Sequence, residues 1–389
     1  MKRFASLDAV RGLAALSVFF AHLHSVFVSH HIALDLTPAF LLWAGGEAVI
    51  LFFVLSGFVL VRRADHGAPQ SLRAFWWGRL ARIGVPSWVM LAGCVLATWL
   101  LNRFGGVGTQ AFRWPASVNP QVVLDHALMV VDVEMVFNDV VWTLVHEMRF
   151  ALVFPLFLWA LHRLRPAAFL AGLAVASLAM AAGVTWAGDP SVGYKTSWQH
   201  TLHYLLMFGM GAVLAQHLDA ALGWWGAQSL RARRCWVVGA LLVCAYARMA
   251  HLVPQARGWR QVATFNEFLA DAAVAVAACV LMVSAMAPGR IRELLQARPW
   301  QYLGRVSFSL YLVHIPVMKT CFALMPQAPV WWAVLVCLPC VALATHVFHI
   351  AVEQPAQRLG RWGPGSAPKR FAPPVATTTV GVTLDNHAA

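Results

Sequence analysis

Arg11 and His22 are ionisable residues inside the apolar segment 8–28, which is long enough to cross a bilayer as a helix. An ionisable side chain at bilayer depth costs about 2.5–3.5 kcal/mol on insertion scales, so each residue suggests a function. Eleven residues make about three helical turns, which places both side chains on one face, roughly 16 Å apart. The pair could hold an anion near the membrane surface and offer a base inside the membrane.

The composition predicts an all-α, polytopic integral membrane protein. Of the 389 residues, 60% are hydrophobic and 12% are charged, whereas soluble domains carry about 25% charged residues. We expect residues 1–358 to form one membrane domain and residues 359–389 to form a disordered cytoplasmic tail. Apolar stretches between polar breaks predict about ten transmembrane helices at 8–28, 45–61, 84–101, 140–161, 166–187, 199–217, 235–252, 267–287, 302–324 and 329–352.

The distribution of basic residues orients these helices. With the N-terminus in the cytoplasm, 19 of the 29 Lys and Arg residues lie in cytoplasmic segments and five lie outside. The bias alternates from loop to loop, as the positive-inside rule requires. We therefore expect both termini to be cytoplasmic. A net charge of +13 could indicate a nucleic-acid partner. Because the basic residues are distributed as the membrane topology requires, we expect no such partner.

Two spans carry polar groups at defined depths. In the second predicted span, Ser56 and Gly57 lie deep in the membrane, and in the fourth, Trp142 and Glu147 lie in the outer and central turns. The ninth span carries a polar stripe at positions i, i+4 and i+7, formed by Ser307, Tyr311 and His314.

Three arginines beside aromatic residues lie at the predicted cytoplasmic surface, and these are Arg73, Arg79 and Arg82. Arginines bind phosphates through bidentate, charge-assisted hydrogen bonds. A neutral imidazole such as His22 can take the proton of an attacking hydroxyl, and a carboxylate such as Glu147 could orient it. Hydroxyls such as Ser56 or Tyr311 could donate to a developing oxyanion. The pattern favours transfer from a cytoplasmic polyanionic donor to a hydroxyl presented deeper or outside.

The chain resembles the membrane acyltransferase-3 family from residue 1 to about 358. Six motifs occur in the family's order: DAVRGLAALSVFFAH, FFVLSGF, FWWGRLARIGVP, WTLVHE, LGRVSFSLYLVHIP and VEQP. Members acylate, mostly acetylate, hydroxyls on sugars, lipopolysaccharides, exopolysaccharides, peptidoglycan or antibiotics. The resemblance implies an O-acetyltransferase of the stand-alone type, without an extracytoplasmic hydrolase-like domain, in a bacterial cytoplasmic (inner) membrane.

The resemblance also implies roles for individual residues. Arg11 and His22 are expected to be essential, with His22 as the catalytic base. The donor or acceptor pocket is expected to involve Ser56, Gly57, Arg79, Arg82, Trp142, Glu147, Ser307, Tyr311 and His314. Acyl-CoA, in most members acetyl-CoA, is the expected co-substrate, with no bound cofactor. The expected partners are membrane lipids and a carbohydrate, glycolipid or other hydroxyl-bearing acceptor.

No metal is expected, because the seven cysteines lie in or beside apolar runs without metal-ligand spacing.

Each site residue also has a structural interpretation. Arg11 could snorkel to the interface, Glu147 could pair with Arg149, and the stripe around His314 could consist of packing contacts between helices. The surface arginines could serve only to orient the helices in the membrane.

Two other functions also remain open at this point. A transporter or flippase would use the same buried charges to line a pathway, and an acyl-group exporter would pass its cargo to a separate enzyme. The identity of the acceptor and the choice between acetyl, succinyl and longer groups stay open.

Overall fold

The computed structural model describes residues 4–27, 37–66, 71–104, 113–247, 249 and 258–362, and within these ranges every regular element is helical. The predicted all-α fold class is confirmed. The helices are α1 (Ala5–Phe27), α2 (Gly45–His66), α3 (Leu72–Arg79), α4 (Val85–Phe104), α5 (Pro120–Leu128), α6 (Val141–Arg163), α7 (Pro166–Ala187), α8 (Trp198–Gln216), α9 (Leu218–Ala227), α10 (Leu230–Tyr246), α11 (Arg260–Met286), α12 (Arg290–Leu295), α13 (Arg298–Leu324), α14 (Val330–Phe348) and α15 (Gln354–Leu359).

The number of spans is close to the prediction. In the described ranges, eight helical segments are long and apolar enough to cross a membrane, and the pair α8 and α9, bent by 76°, raises the number to nine. The seventh predicted span, 235–252, overlaps α10, which has 17 residues and begins five residues earlier. Seventeen residues cover about 26 Å, less than the hydrocarbon core. The end of that prediction lies outside the described residues, as does the predicted tail from residue 363 onward.

Pro316 distorts α13 beside the polar stripe. A proline has no backbone N–H, so the carbonyl of Leu312, four residues earlier, loses its helical partner. The side chain of Asn138 takes this place, because its Nδ2 donates to Leu312 O at 2.8 Å. The segment that precedes α6 is thereby tied to α13.

Pro155 has the same effect in α6. It leaves the carbonyl of Ala151 without its helical donor, and Trp76 Nε1 donates to that oxygen at 2.9 Å. The short helix α3 is thus fixed against α6, and this contact positions the arginine that ends α3.

Two π-helical turns lie at the same end of the molecule. Leu80–Gly84 joins α3 to α4 and is followed by Pro86, and His349–Glu353 joins α14 to α15 and is followed by Pro355. Each proline removes a donor from the preceding turn, which widens there. Such turns re-aim side chains, and both line the site described below.

The central helices approach each other closely at glycines. A Cβ at Gly57 of α2 would overlap the backbone of Phe208 in α8, and one at Gly304 of α13 would overlap the backbone of Asp8 in α1. Small residues allow such close helix contacts inside a membrane. The pairs α2–α8 and α1–α13 therefore form the rigid centre that carries the site.

Candidate active site

A small polar cavity of about 90 Å³ lies between α1, α2, α3, α6 and α13. We call it the inner cavity. Seven of the twelve predicted site residues line it, together with Thr143, so one void joins side chains from five parts of the sequence. Its polar lining consists of Arg11, Ser56, Arg79, Arg82, Thr143, Glu147, Ser307 and Tyr311.

The Glu147 carboxylate is held from two sides. Ser56 Oγ donates to Oε1 at 2.8 Å, and Arg79 Nη2 donates to Oε2 at 3.3 Å. The side chains of Arg79 and Glu147 are 13% and 21% exposed, so their attraction is screened less than in bulk water. The partner of Glu147 is therefore Arg79, not Arg149. Because its described hydrogen bonds go to Ser56 and Arg79, the carboxylate does not orient His22 as the sequence suggested.

The far end of the inner cavity is closed by hydroxyl groups. Tyr311 is buried, and its hydroxyl shares a hydrogen bond of 2.8 Å with Thr143 Oγ1. Ser307, one turn earlier on α13, donates to its own helix at Gly304 O, at 2.9 Å. The predicted stripe on α13 therefore directs two hydroxyl-bearing residues into the cavity.

A second, larger cavity of about 720 Å³ adjoins the first and shares Arg11, Arg82 and Ser307 with it. We call it the vestibule. Arg11 pairs with Asp8 at 3.4 Å. Four further arginines line the vestibule, and within the described part of the chain no carboxylate lies within ion-pair distance of any of them. These are Arg82, Arg305, Arg358 and Arg361.

Glu353 is a vestibule residue to which the sequence analysis gave no role. It is 3% exposed and accepts hydrogen bonds from Ser309 at 2.5 Å, His349 at 2.8 Å and Gln357 at 2.9 Å. The VEQP motif contained the signal, because a carboxylate at the end of an apolar run, such as Glu353, needs neighbouring donors when it is buried. Of the vestibule arginines, Arg11 and Arg82 were predicted to belong to the site, whereas Arg305, Arg358 and Arg361 were given no binding role.

Three predicted site residues lie elsewhere. Arg73 is exposed and lines neither cavity. Gly57 is buried against the backbone of Phe208, so it serves helix contact. Trp142 lies in an aromatic cluster, with ring centres 5.5 Å from Tyr204 and 5.6 Å from Tyr194. Trp142 lies five residues before Glu147 on α6, so the two side chains point from different faces of the helix, and only Glu147 lines the cavity.

His22 and His314 form a pair next to the inner cavity. Their ring centres are 5.3 Å apart, and the ring centre of His314 lies 6.1 Å from that of Tyr311. His22 does not line the inner cavity. From Arg11, the order is thus the cavity, then Tyr311, then the two histidines. The sequence placed Arg11 and His22 on one helix face, but the inner cavity that contains Arg11 extends to Tyr311 and does not include His22.

The opposite face of α6 binds the loops on the predicted outer side. Arg149 is fully buried and donates to Val130 O at 2.9 Å, to Thr196 O at 2.7 Å and to Thr201 Oγ1 at 2.8 Å. His146 contacts Thr201 and also the carbonyl of Lys195, at 2.9 Å. One helix therefore presents Glu147 to the cavity and fixes the outer loops with its other face.

Among the described residues, no group of three His, Cys, Asp or Glu side chains is arranged to hold a metal. All seven cysteines are free thiols, three of them buried.

The fold and the site together define a polytopic helical membrane protein with a polar chamber that opens onto a basic vestibule. A family profile described as an acyltransferase domain matches residues 4–349. The chain therefore belongs to the acyltransferase-3 family and is a membrane acyltransferase. It is 27% identical to "Acyltransferase MdmB" of Streptomyces mycarofaciens over 387 residues, which cover 92% of each chain. No solved structure matches it.

Proposed function

We propose that this protein transfers an acetyl or other short acyl group from cytoplasmic acyl-CoA to a hydroxyl of a carbohydrate or glycolipid. One observation carries the proposal: a basic vestibule opens onto a small cavity lined by hydroxyls, a carboxylate and arginines. Membership of the family supports acyl transfer. We assign the protein to a bacterial cytoplasmic membrane because the family resemblance implies this location. We place both termini on the cytoplasmic side on the basis of the distribution of basic residues.

The vestibule suits the polyanionic part of the donor. CoA carries a 3′-phosphate and a diphosphate, and guanidinium groups are the side chains best suited to bind phosphates in pairs of hydrogen bonds. Four arginines without carboxylate partners in the described structure, among them Arg305 and Arg358, surround a volume of about 720 Å³. The pantetheine arm would then pass Arg11 and Ser307, which both cavities share.

The reaction requires a base next to the acceptor hydroxyl. In our proposal this base is His22, which lies beyond Tyr311 and outside the lining of the inner cavity. It takes the proton of the acceptor hydroxyl while the hydroxyl oxygen attacks the thioester carbonyl. Tyr311 donates to the oxyanion of the tetrahedral intermediate, whereas the single hydroxyl proton of Ser56 is donated to Glu147. The C–S bond then breaks, CoA leaves as a thiolate, and the thiolate recovers the proton from His22. The products are an O-acyl ester and free CoA.

Glu147 has a supporting role in this scheme. Its carboxylate accepts hydrogen bonds from Ser56 and Arg79 and so fixes both side chains at the cavity. The remaining N–H groups of a fixed guanidinium can stabilise developing charge without reorganisation during the reaction. We therefore assign Glu147 to positioning rather than to proton transfer.

The test uses purified protein in lipid nanodiscs with acyl-labelled acetyl-CoA and a panel of acceptors: lipid-linked sugars, polysaccharide, small glycans and macrolides. We expect release of CoA and an equal amount of labelled ester on one acceptor class, with heat-treated protein as the control. Thioester cleavage without labelled ester on any acceptor would favour the exporter. Passage of a solute across vesicles without cleavage would favour the transporter. Either result would overturn the proposal.

A further inference from the structure

His314 has a buried ring nitrogen that takes no part in the reaction steps proposed above. The residue is 0% exposed, and its Nδ1 lies 2.9 Å from the carbonyl oxygen of Leu310. A carbonyl oxygen only accepts, so Nδ1 must carry the proton and Nε2 must present a lone pair. Among the described residues, Nε2 has no hydrogen-bond partner. A buried acceptor without a donor is costly, and such groups cluster at functional sites.

The nearest ring on α1 is that of His22. The two ring centres are 5.3 Å apart, and the ring planes are inclined by 43°. A linear N–H···N bond of about 3 Å between two imidazoles separates their centres by roughly 5 Å. The observed spacing is therefore short enough for such a bond, which a reorientation of the His22 ring would form.

From this geometry we infer that His314 is the positioning residue of His22. Nε2 of His314 accepts the N–H of His22 and leaves the second nitrogen of His22 free to take the proton of the acceptor hydroxyl. After that transfer, His22 is an imidazolium, and its proton towards His314 is shared between the two rings. The proton then returns through His22 to the departing thiolate, so the pair ends in its starting state. This inference rests on the proposed function.

The surroundings of the pair favour this arrangement. Phe19 lies edge-on to His314, with ring centres 6.0 Å apart, and Tyr311 adjoins it on the side of the inner cavity. The charged groups that act on His22 are Asp139 and Lys319, and these two pair with each other at 3.2 Å. Among the described residues Asp139 makes no hydrogen bond to His22, whereas the ring of His314 adjoins that of His22, so the lone pair of His314 is the acceptor best placed for it.

The test compares three variants of His314 in the purified full-length protein. His314→Gln places an amide oxygen near the position of Nε2 and can still accept from His22. His314→Asn keeps only the donor to Leu310, and His314→Leu keeps neither. We expect kcat to fall roughly tenfold or more in the Asn and Leu variants. The KM for acyl-CoA should stay unchanged, and the Gln variant should retain more activity than either. The pH profile of kcat should also move in the Gln variant, because an amide cannot share the proton.

Equal losses in all three variants that follow thermal stability, with an unmoved pH profile, would show that His314 only packs and would overturn the inference. Wild-type protein that transfers no acyl group would overturn the proposed function instead. The pairing is then tested by the ¹⁵N spectrum of histidine-labelled protein in bilayers. We expect the Nε2 resonance of His314 to move in a His22→Phe variant, and an unmoved resonance would contradict the inference.

Discussion

Ser56 Oγ donates to Glu147 Oε1 across 2.8 Å and so joins two residues that lie 91 positions apart in the sequence. Through this bond α2 binds one carboxylate oxygen of Glu147 on α6, while Arg79 at the end of α3 binds the other. It therefore sets the distance between three helices around the inner cavity. A hydrogen bond to a charged group contributes about 1.5–3 kcal/mol to stability.

Replacement of Glu147 by glutamine tests this positioning role. The amide removes the negative charge, so Arg79 keeps a partly buried charge without an ionic partner, and the protein should lose roughly 1–3 kcal/mol. We expect kcat to fall while the KM for acyl-CoA rises little. Thermal unfolding in detergent and steady-state kinetics measure both effects. Ser56→Ala is the milder companion, with an expected loss of about 1 kcal/mol. Unchanged stability and activity in Glu147→Gln would contradict the role.

Gly57→Ala tests the contact between α2 and α8. The new methyl group would overlap the carbonyl of Phe208, so the helices must separate, and overpacking of this kind costs about 1–3 kcal/mol. Gly183→Ala in α7 is the matched control, because nothing lies within 4 Å of its added methyl group. The melting temperature should drop in the first variant and stay the same or rise in the second. Equal melting temperatures would argue against close helix contact at Gly57.

The vestibule arginines should determine donor affinity. Arg358→Gln and Arg361→Gln each remove a guanidinium without a carboxylate partner in the described structure. We expect the KM for acetyl-CoA to rise about tenfold per residue, because a charge-assisted bond to phosphate contributes about 1.5–3 kcal/mol. The effect should weaken for acetyl-pantetheine, which lacks the nucleotide phosphates. Arg73→Gln is the control, since Arg73 lies outside both cavities. A KM that rises in the control as much as in the vestibule variants would speak against a phosphate site.

Arg149 should matter for stability rather than for donor binding. Its guanidinium is fully buried and holds the carbonyls of Val130 and Thr196, and Trp198 stacks on it at 4.3 Å. In Arg149→Ala we expect a loss of about 3 kcal/mol or more, because the buried carbonyl of Thr196 and the partly buried carbonyl of Val130 lose their donor. The exposed Arg163 on the same helix serves as the control. Protease sensitivity of the loops and the melting temperature report the loss, and a wild-type melting temperature would refute it.

The sequence predicted the fold class and most helix positions because apolar length and charge bias act locally along the chain. It also predicted seven residues of the inner cavity, since motif order and helical periodicity place them on inward faces. It did not predict the partner of Glu147, because Arg79 reaches it only after Trp76 has fixed α3 against α6. The sequence did not predict a role for Glu353 for a related reason, because its donor Ser309 belongs to α13, which is distant in the sequence.

The central claim is that His22 is the base of an acyl transfer reaction. The most direct measurement is the initial rate of ester formation from labelled acetyl-CoA by His22→Ala, beside His24→Ala from the same helix, both checked for folding by their melting temperatures. Loss of a general base costs about 10²–10⁴ in rate. We expect such a loss in His22→Ala and near wild-type rates in His24→Ala. A folded His22→Ala protein that acylates as fast as wild type would contradict the role of His22 as the base.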